Sequence, residues 1–334
     1  MSVQQDHNQK YSLGIVGGRG YVGQKLLDLV NQHPQISIEW ISSRQLAGQP
    51  IQTLIETDAT LAIENLTPED IAERKTDVVV LALPNGLSQK FVNKLLAVKH
   101  APKVIIDLSG DNRFDSKWHY SVSEIHGELI NTVKFNKKNN STILISNPGC
   151  YATAIQLALH PIKSWIKGSP SCFGISGFSG AGTKPSLNND PAHLKDNIVP
   201  YQLIRHLHER EVSTHLDLPV KFTPHVAEFF AGISMTIHCQ LTMHLSEDNL
   251  MALYQQFYQK HPLIQICKEI PLIQQVVNSH NCHIGGFAVN GNHLVLVSCL
   301  DNLLKGAASQ ALQNINHALN LDQTLGLLQD KTGV

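Results

Sequence analysis

The sequence predicts an α/β chain in two parts, a doubly wound parallel sheet followed by an α+β domain with a mainly antiparallel sheet. Three observations carry this reading. Short β-branched runs alternate with helical patterns over the first 150 residues, which implies a parallel sheet with helices on both faces. Beyond residue 150, strand-like runs follow one another with little helix between them. The 334 residues also exceed the usual size of a single domain.

In order, "YSLGIVGG" reads as a strand, and "GYVGQKLLDLVNQH" as an amphipathic helix with Val22, Leu26, Leu27, Leu29 and Val30 on one face. "ISIEWISS", "DVVVLALP", "KVIIDLSG" and "STILISNP" follow as strands. "NGLSQKFVNKLLAVKH" is a helix opened after Pro84 and closed near Pro102. "YATAIQLALHPIKSWI" is helical and ends near Pro161, before the strands "SCFGISGFSG", "VKFTPHV", "GISMTIHCQLTMHL" and "HIGGFAVNGNHLVLVSCL". Asn290-Gly291 in the last marks a hairpin. "SEDNLMALYQQFYQKH" is the one clear helix among these strands. The terminal "NLLKGAASQALQNINHAL" is a helix able to return to the first domain.

Composition narrows the function classes. Hydrophobic residues make up 42% and charged residues 16%, with a formal net charge of -1. This gives no electrostatic footprint for nucleic acid or an anionic membrane. The longest apolar runs, such as 78–84, are strand-length, too short to span a bilayer. The amino terminus "MSVQQDHNQKYS" is polar and lacks a signal-peptide core. Six cysteines, at 150, 172, 239, 267, 282 and 299, form no CxxC pair and no zinc spacing, so no metal is expected. So few cysteines in a long chain imply a reducing compartment, the cytoplasm.

The turn "GIVGGRGYVG" places Gly17, Gly20 and Gly23 directly after the first strand. Gly17 permits the tight turn, Gly20 lets a phosphate approach the backbone, and Gly23 lets the helix pack on the strand. The helix amino terminus then favours a pyrophosphate, which makes this a Rossmann-like dinucleotide-binding domain. The spacing is GxxGxxG rather than the strict GxGxxG. The second strand runs into Ser42, Ser43 and Arg44, donors and a cation suited to the 2′-phosphate of NADP. Glu39, the competing acidic candidate, lies inside that strand.

"SNPGCYATA" sets Cys150 between a Pro-Gly turn and a helix start. A helix amino terminus favours the thiolate, and a nucleophilic thiolate beside a nicotinamide suggests acyl transfer through a thioester. The other five cysteines lie in apolar strand contexts and read as buried hydrophobes. The chemistry needs an acid/base partner, most often histidine. His206 and His208 in "RHLHERE" and His225 in "FTPHVAEF" are the candidates.

These segments, with "SSRQLAGQP", "LALPNGLS", "DLSGDNRF", "SGFSGAGTK" and "DNLLKGAASQALQNIN", resemble the N-acetyl-gamma-glutamyl-phosphate reductase family from the first strand to the last helix. The resemblance implies NADPH-dependent reduction of N-acetyl-glutamyl phosphate to the semialdehyde, in arginine synthesis. It implies Cys150 as nucleophile and His208 as acid/base. It also implies His206, Glu211 and Arg113 at the substrate. Around the coenzyme it implies Gly17, Gly18, Arg19, Gly20, Tyr21, Val22, Ser42, Ser43, Arg44, Pro84 and Ser109, then Ser179, Gly180, Ala181, Gly182 and Asn302. The expected domains are 1–149 with 303–334 for NADP, and 150–302 for the substrate. A homo-oligomer, dimer or tetramer, is expected.

One departure stands out. Family members often carry Arg before Gly-Ile in the Phe-Thr-Pro-His block, where this chain has Ala231. Another residue then holds the substrate's anionic group, and Lys184 and Lys221 are cations nearby in sequence. Rival readings are reductases of aspartyl phosphate or of an acylated aminoadipyl phosphate, and, outside enzymes, a dinucleotide-binding sensor.

Overall fold

The computed structural model describes residues 10–132 and 141–328; the polar segment 1–9 lies outside them. The chain divides into two compact units. One draws on residues within 1–121, 127–147 and 311–334, the other on 122–126 and 148–310.

The first unit carries β1 (Tyr11–Val16), α1 (Tyr21–Asn31), β2 (Ile36–Ser42), β3 (Ile63–Glu64), α2 (Pro68–Ala72), β4 (Val78–Leu81), α3 (Ser88–Leu96), β5 (Val104–Asp107) and β6 (His119–Tyr120). α4 (Ser123–Thr132), whose first four residues belong to the second unit, and β7 (Ile143–Ser146) follow. Its strands form one parallel sheet in the order β3-β2-β1-β4-β5-β7-β6. The order reverses at β1, the switch point at which such sheets bind ligands beyond their carboxyl edge. β4 and β5 are buried along their whole length, as strands covered on both faces must be. Trp40 anchors the core with Val79, Leu81, Phe91 and Ile105. Its indole donates to Thr76 Oγ1 at 2.8 Å. Gly14 is required beside it, because a Cβ there would lie 1.9 Å from the indole ring.

The second unit carries α5 (Cys150–Leu159), β8 (Ile166–Gly177), α6 (Pro191–Leu194), β9 (Ile198–Pro200), α7 (Leu207–Leu216), β10 (Lys221–Ala227), β11 (Ile233–Leu241) and α8 (Glu247–Tyr258). β12 (Ile264–Cys267), β13 (Cys282–Asn290), β14 (His293–Leu300) and α9 (Ser309–Ala318) complete the described elements, α9 passing into the first unit at Ala311. The sheet order is β12-β13-β14-β11-β8-β10-β9. Two pairings, β8–β10 and β12–β13, are parallel and the rest antiparallel. The β13–β14 hairpin pairs Asn290 with His293, so its two-residue loop is Gly291-Asn292, one place later than the Asn-Gly signal suggests. Gly291 takes φ +60° there.

α5 is buried from Tyr151 to Leu159 and packs on β11 and β14. Its last carbonyls, which a helix leaves unpaired, are met from α8. Tyr258 Oη donates to Leu157 O at 2.6 Å and Tyr254 Oη to Ala158 O at 2.5 Å. Two helices depart from the expectation of a single clear helix among the strands: the four-residue α6, and α7. The buried positions of α7 are Glu211, Val212 and Leu216, so a carboxylate occupies a place where an apolar residue would have revealed the period.

Candidate active site

The glycine turn links β1 to α1. Gly17 takes φ +90°, and a Cβ on it would sit 2.2 Å from Ala82 O. Gly23 lets α1 pack down, since its Cβ would lie 2.8 Å from Gly17 O. At Gly20 the space is open: the one atom near a Cβ is Gly17 O at 3.7 Å. Gly20 is also the N-cap of α1, and no side chain caps that helix. Room of this kind at Gly20, on a helix start with no side-chain cap, fits a pyrophosphate. Gly18 is buried against Ile41, Leu27 and Ile15, while Arg19, Tyr21 and Val22 carry the turn into the helix.

Beyond β2, Ser42 and Ser43 are buried. Ser42 Oγ accepts from Leu66 N at 3.2 Å, and Ser43 N donates to Glu64 O at 2.8 Å. Arg44 is the exposed member of the three. Pro84 is exposed after β4, and Ser109 is buried after β5, its hydroxyl donating to Asp107 Oδ2 at 2.9 Å. Asp111 ties these two turns together, accepting from Gly86 N at 2.6 Å and from Ser88 Oγ at 2.8 Å. Burial raises the Asp111 pKa, but these hydrogen bonds outweigh it and hold the carboxyl below its usual range.

Arg113, expected at an anionic group of the substrate, follows β5. It is 6% exposed, and its guanidinium donates to Asn147 O at 3.0 Å and to Leu108 O at 3.2 Å. It thereby braces the residue at which the chain leaves the first unit, three places before Cys150.

In the second unit Cys150 is the first residue of α5, and its N-cap, Gly149, offers no side chain to the helix end. Gly149 N donates to Glu211 Oε1 at 2.8 Å. Glu211 is fully buried, and its other oxygen lies 4.0 Å from His208 Nε2. One carboxylate thus accepts from the residue before the cysteine and lies beside the histidine. The ring of Tyr151, next in sequence to Cys150, lies 5.9 Å from the His208 ring, 6.4 Å from that of His206 and 4.9 Å from Phe222. Tyr201 closes the cluster 5.7 Å from His206. Burial, with a smaller contribution from nearby Cys150, raises the Tyr201 phenol. No motif in the sequence singles Tyr201 out.

The three candidate histidines separate by geometry. His206 is the N-cap of α7, its Nδ1 accepting from His208 N at 3.1 Å, and burial lowers its pKa to about 4. His208 lies on α7 beside Glu211. His225 alternates with Phe222 along β10, so its ring faces the other side of the sheet, 4.3 Å from Phe173. Only its backbone reaches the cluster, accepting from Tyr151 Oη at 2.6 Å.

Ser179, Gly180 and Ala181 form a single helical turn that Gly182 ends at φ +76°. Asn302 braces this turn: its Nδ2 donates to Ser179 Oγ at 2.9 Å, and its Oδ1 accepts from Gly232 N at 2.7 Å. Lys184 is exposed just beyond. Lys221 is exposed at the start of β10, where strand alternation turns it away from Phe222's side. Burial raises the thiol pKa at the other cysteines, to about 12 for Cys239 and Cys282 and about 11 for Cys299, with Cys172 and Cys267 also raised. Cys150 alone among the six starts a helix.

Residues 12–133 match the family model "Semialdehyde dehydrogenase, NAD binding domain", and residues 150–302 match "Semialdehyde dehydrogenase, dimerisation domain". An N-acetyl-gamma-glutamyl-phosphate reductase of Xylella fastidiosa (strain 9a5c) is 46% identical over 94% of this chain and 92% of its own length. The chain belongs to the N-acetyl-gamma-glutamyl-phosphate reductase family. Among solved structures, aspartate semialdehyde dehydrogenase II of Vibrio cholerae matches with TM-score 0.75 at 17% identity, over 94% of this chain and 99% of that one. The Candida albicans aspartate semialdehyde dehydrogenase with NADP matches with TM-score 0.74 at 15% identity, over 95% and 100%. At those identities the likeness is one of fold.

Proposed function

We propose that the chain is an NADPH-dependent reductase converting N-acetyl-L-glutamyl 5-phosphate to N-acetyl-L-glutamate 5-semialdehyde, in arginine biosynthesis. The carrying observation is Glu211, whose two oxygens link Gly149, next to the nucleophile, with His208. At the start of α5 the helix dipole favours an anion on Cys150. The Cys150 thiolate attacks the acyl phosphate carbon, the C–S bond forms, and the C–O bond to phosphate breaks with its electron pair leaving on phosphate. A helix start directs backbone N–H groups outward, and such donors favour the oxyanion of that step. NADPH, when bound, supplies the hydride that reduces the thioester carbon to the aldehyde level. His208 supplies and recovers the proton on the substrate oxygen, with Glu211 holding its ring. Cys150 sulfur then departs as thiolate.

Gly17, Gly18, Arg19, Gly20, Tyr21 and Val22 hold the pyrophosphate, with Arg44 on the 2′-phosphate. Ser42 and Ser43 shape that corner from beneath. Pro84 and Ser109 complete the first unit's share of the coenzyme contacts, and in the second unit Asn302 acts by holding the Ser179–Gly182 turn. His206 and Lys184 face the substrate. Arg113 positions the chain entering Cys150.

A second copy of the chain is the further partner. α5 and α8 pack on one side of the second unit's sheet. On the other side Phe173 is 42% exposed, and His238 and His293 meet at 3.3 Å in the open. The matched description as a dimerisation domain supports closing this face with its own copy. No described helix is long and apolar enough to cross a membrane, and the thiol chemistry calls for the cytoplasm's reducing conditions.

The test is NADPH oxidation with a panel of acyl phosphates. N-acetyl-glutamyl phosphate turns over fastest. Faster turnover of aspartyl phosphate or of N-acetyl-aminoadipyl phosphate contradicts the assignment, and NADPH binding without turnover of any of them favours a sensor.

A further inference from the structure

Between β14 and α9 the chain makes a π-turn over Leu304–Ala308. Turns of this kind are rare and concentrate at functional sites. Gly306 N donates to Asp301 O at 2.8 Å and Ala308 N to Leu303 O at 2.9 Å, each spanning five residues. Asp301, 1% exposed, pins the start of the turn by accepting from Leu303 N, Leu304 N and Asn278 N. Lys305, fully buried, pins its middle through an ion pair with Glu124 at 2.5 Å.

This turn meets the nucleophile. A Cβ on Gly306 would lie 2.7 Å from Cys150 Cβ and 3.2 Å from Cys150 Cα. A second tie runs alongside. Gln310 Nε2 donates to Thr153 Oγ1 at 2.9 Å, and Thr153 Oγ1 donates to Gly149 O at 3.1 Å, the carbonyl just before Cys150. Gly306, Gly149, Thr153 and Gln310 are buried, and Cys150 is half-buried. None of the first four has chemistry to offer the reaction, and both ties converge on the first turn of α5.

We propose that the Leu304–Ala308 π-turn sets the position of the Cys150 sulfur, with Gly306 and Thr153 as positioning residues and Lys305 holding the turn in place. The proposal rests on Cys150 being the nucleophile. A methyl on Gly306 must open the 2.7 Å gap toward the ordinary contact range of 3.4–4 Å, a displacement of roughly 1 Å, which is the scale at which misplaced reacting groups lose about 100-fold in rate. Gly306 does not adopt a positive φ, so an alanine there acts through the contact and not through backbone strain.

The experiment compares Gly306→Ala, Thr153→Val and Thr153→Ser with the parent enzyme in turnover with NADPH. The pH profile of Cys150 alkylation by iodoacetamide is read beside it. Gly306→Ala lowers kcat about 100-fold with KM for NADPH within about twofold of the parent. Thr153→Val lowers kcat about tenfold, and Thr153→Ser, which keeps the hydroxyl, restores it to within about threefold. The alkylation profile shifts in Gly306→Ala and Thr153→Val, because the sulfur leaves its place at the helix end. If Gly306→Ala does not fold, the Thr153 pair decides. Kcat within about threefold of the parent in Thr153→Val and in folded Gly306→Ala overturns the proposal. So does a loss matching the unfolded fraction with an unchanged alkylation profile. Cys150→Ser separates the two claims, since turnover in that variant removes the nucleophile assignment itself.

Discussion

Replacing Lys305 by Met tests how the core of the second unit is held. The Lys305–Glu124 pair joins residues 181 apart in sequence, with 0% and 1% of the two side chains exposed. Met preserves much of the volume and removes the charge, which strands a carboxylate in the interior. Breaking one side of such a pair costs about 3–5 kcal/mol, whereas removing both charges is close to neutral. For a unit of this size, each kcal/mol moves the melting temperature by roughly 2–4 °C. Lys305→Met therefore melts about 6–20 °C below the parent. Lys305→Met with Glu124→Gln recovers most of that loss. Calorimetry and urea midpoints on the parent, the two single variants and the double variant give the coupling directly. A drop below about 2 °C in the single variant, or a double variant no more stable than the single, refutes the reasoning.

Four histidines, two buried and two half-buried, set the acid response. Burial lowers the pKa of His33, His126, His160 and His206 to about 4 from 6.5. The unfolded chain binds more protons in that interval, so stability is fully present above about pH 6.5 and falls as pH drops toward 4. Each group contributes up to about 1.4 kcal/mol per pH unit, and less at the partly exposed His126 and His160. A melting temperature unchanged between pH 7 and pH 5 contradicts this. Gly17→Ala removes NADPH binding measured by fluorescence titration, because its Cβ has no room beside Ala82 O; tight binding in that variant would reject the cradle. Arg44→Ala weakens NADPH about tenfold or more and NADH little, and equal losses would take the 2′-phosphate away from Arg44. Phe173→Glu shifts the enzyme to monomers in light scattering; an unaltered assembly would move the interface off that sheet face.

The sequence announces those parts of the site that obey local rules. The glycine turn, the β-branched strands around it and the thiol before a helix are each written in a few consecutive residues. α7 escaped because Glu211 sits in its buried face, and β3 and β6 because strands of two residues carry no period. The histidine choice required the sheet: only strand alternation shows that His225 points away from the side holding Phe222 and Tyr151. The ties of Arg113 to Leu108 O and Asn147 O were not legible, because these acceptors are backbone groups that no motif reveals. Tyr201 and the Lys305–Glu124 pair are products of long-range packing, invisible to any window on the chain.

The most direct measurement is a single turnover without coenzyme. The enzyme is mixed with N-acetyl-glutamyl phosphate, released phosphate is counted per active site, and the protein is digested for mass spectrometry. A burst of one phosphate per site, with the N-acetyl-glutamyl group on Cys150 and its discharge as semialdehyde when NADPH is added, is the predicted result. No burst, or an acyl group on any other residue, contradicts the account.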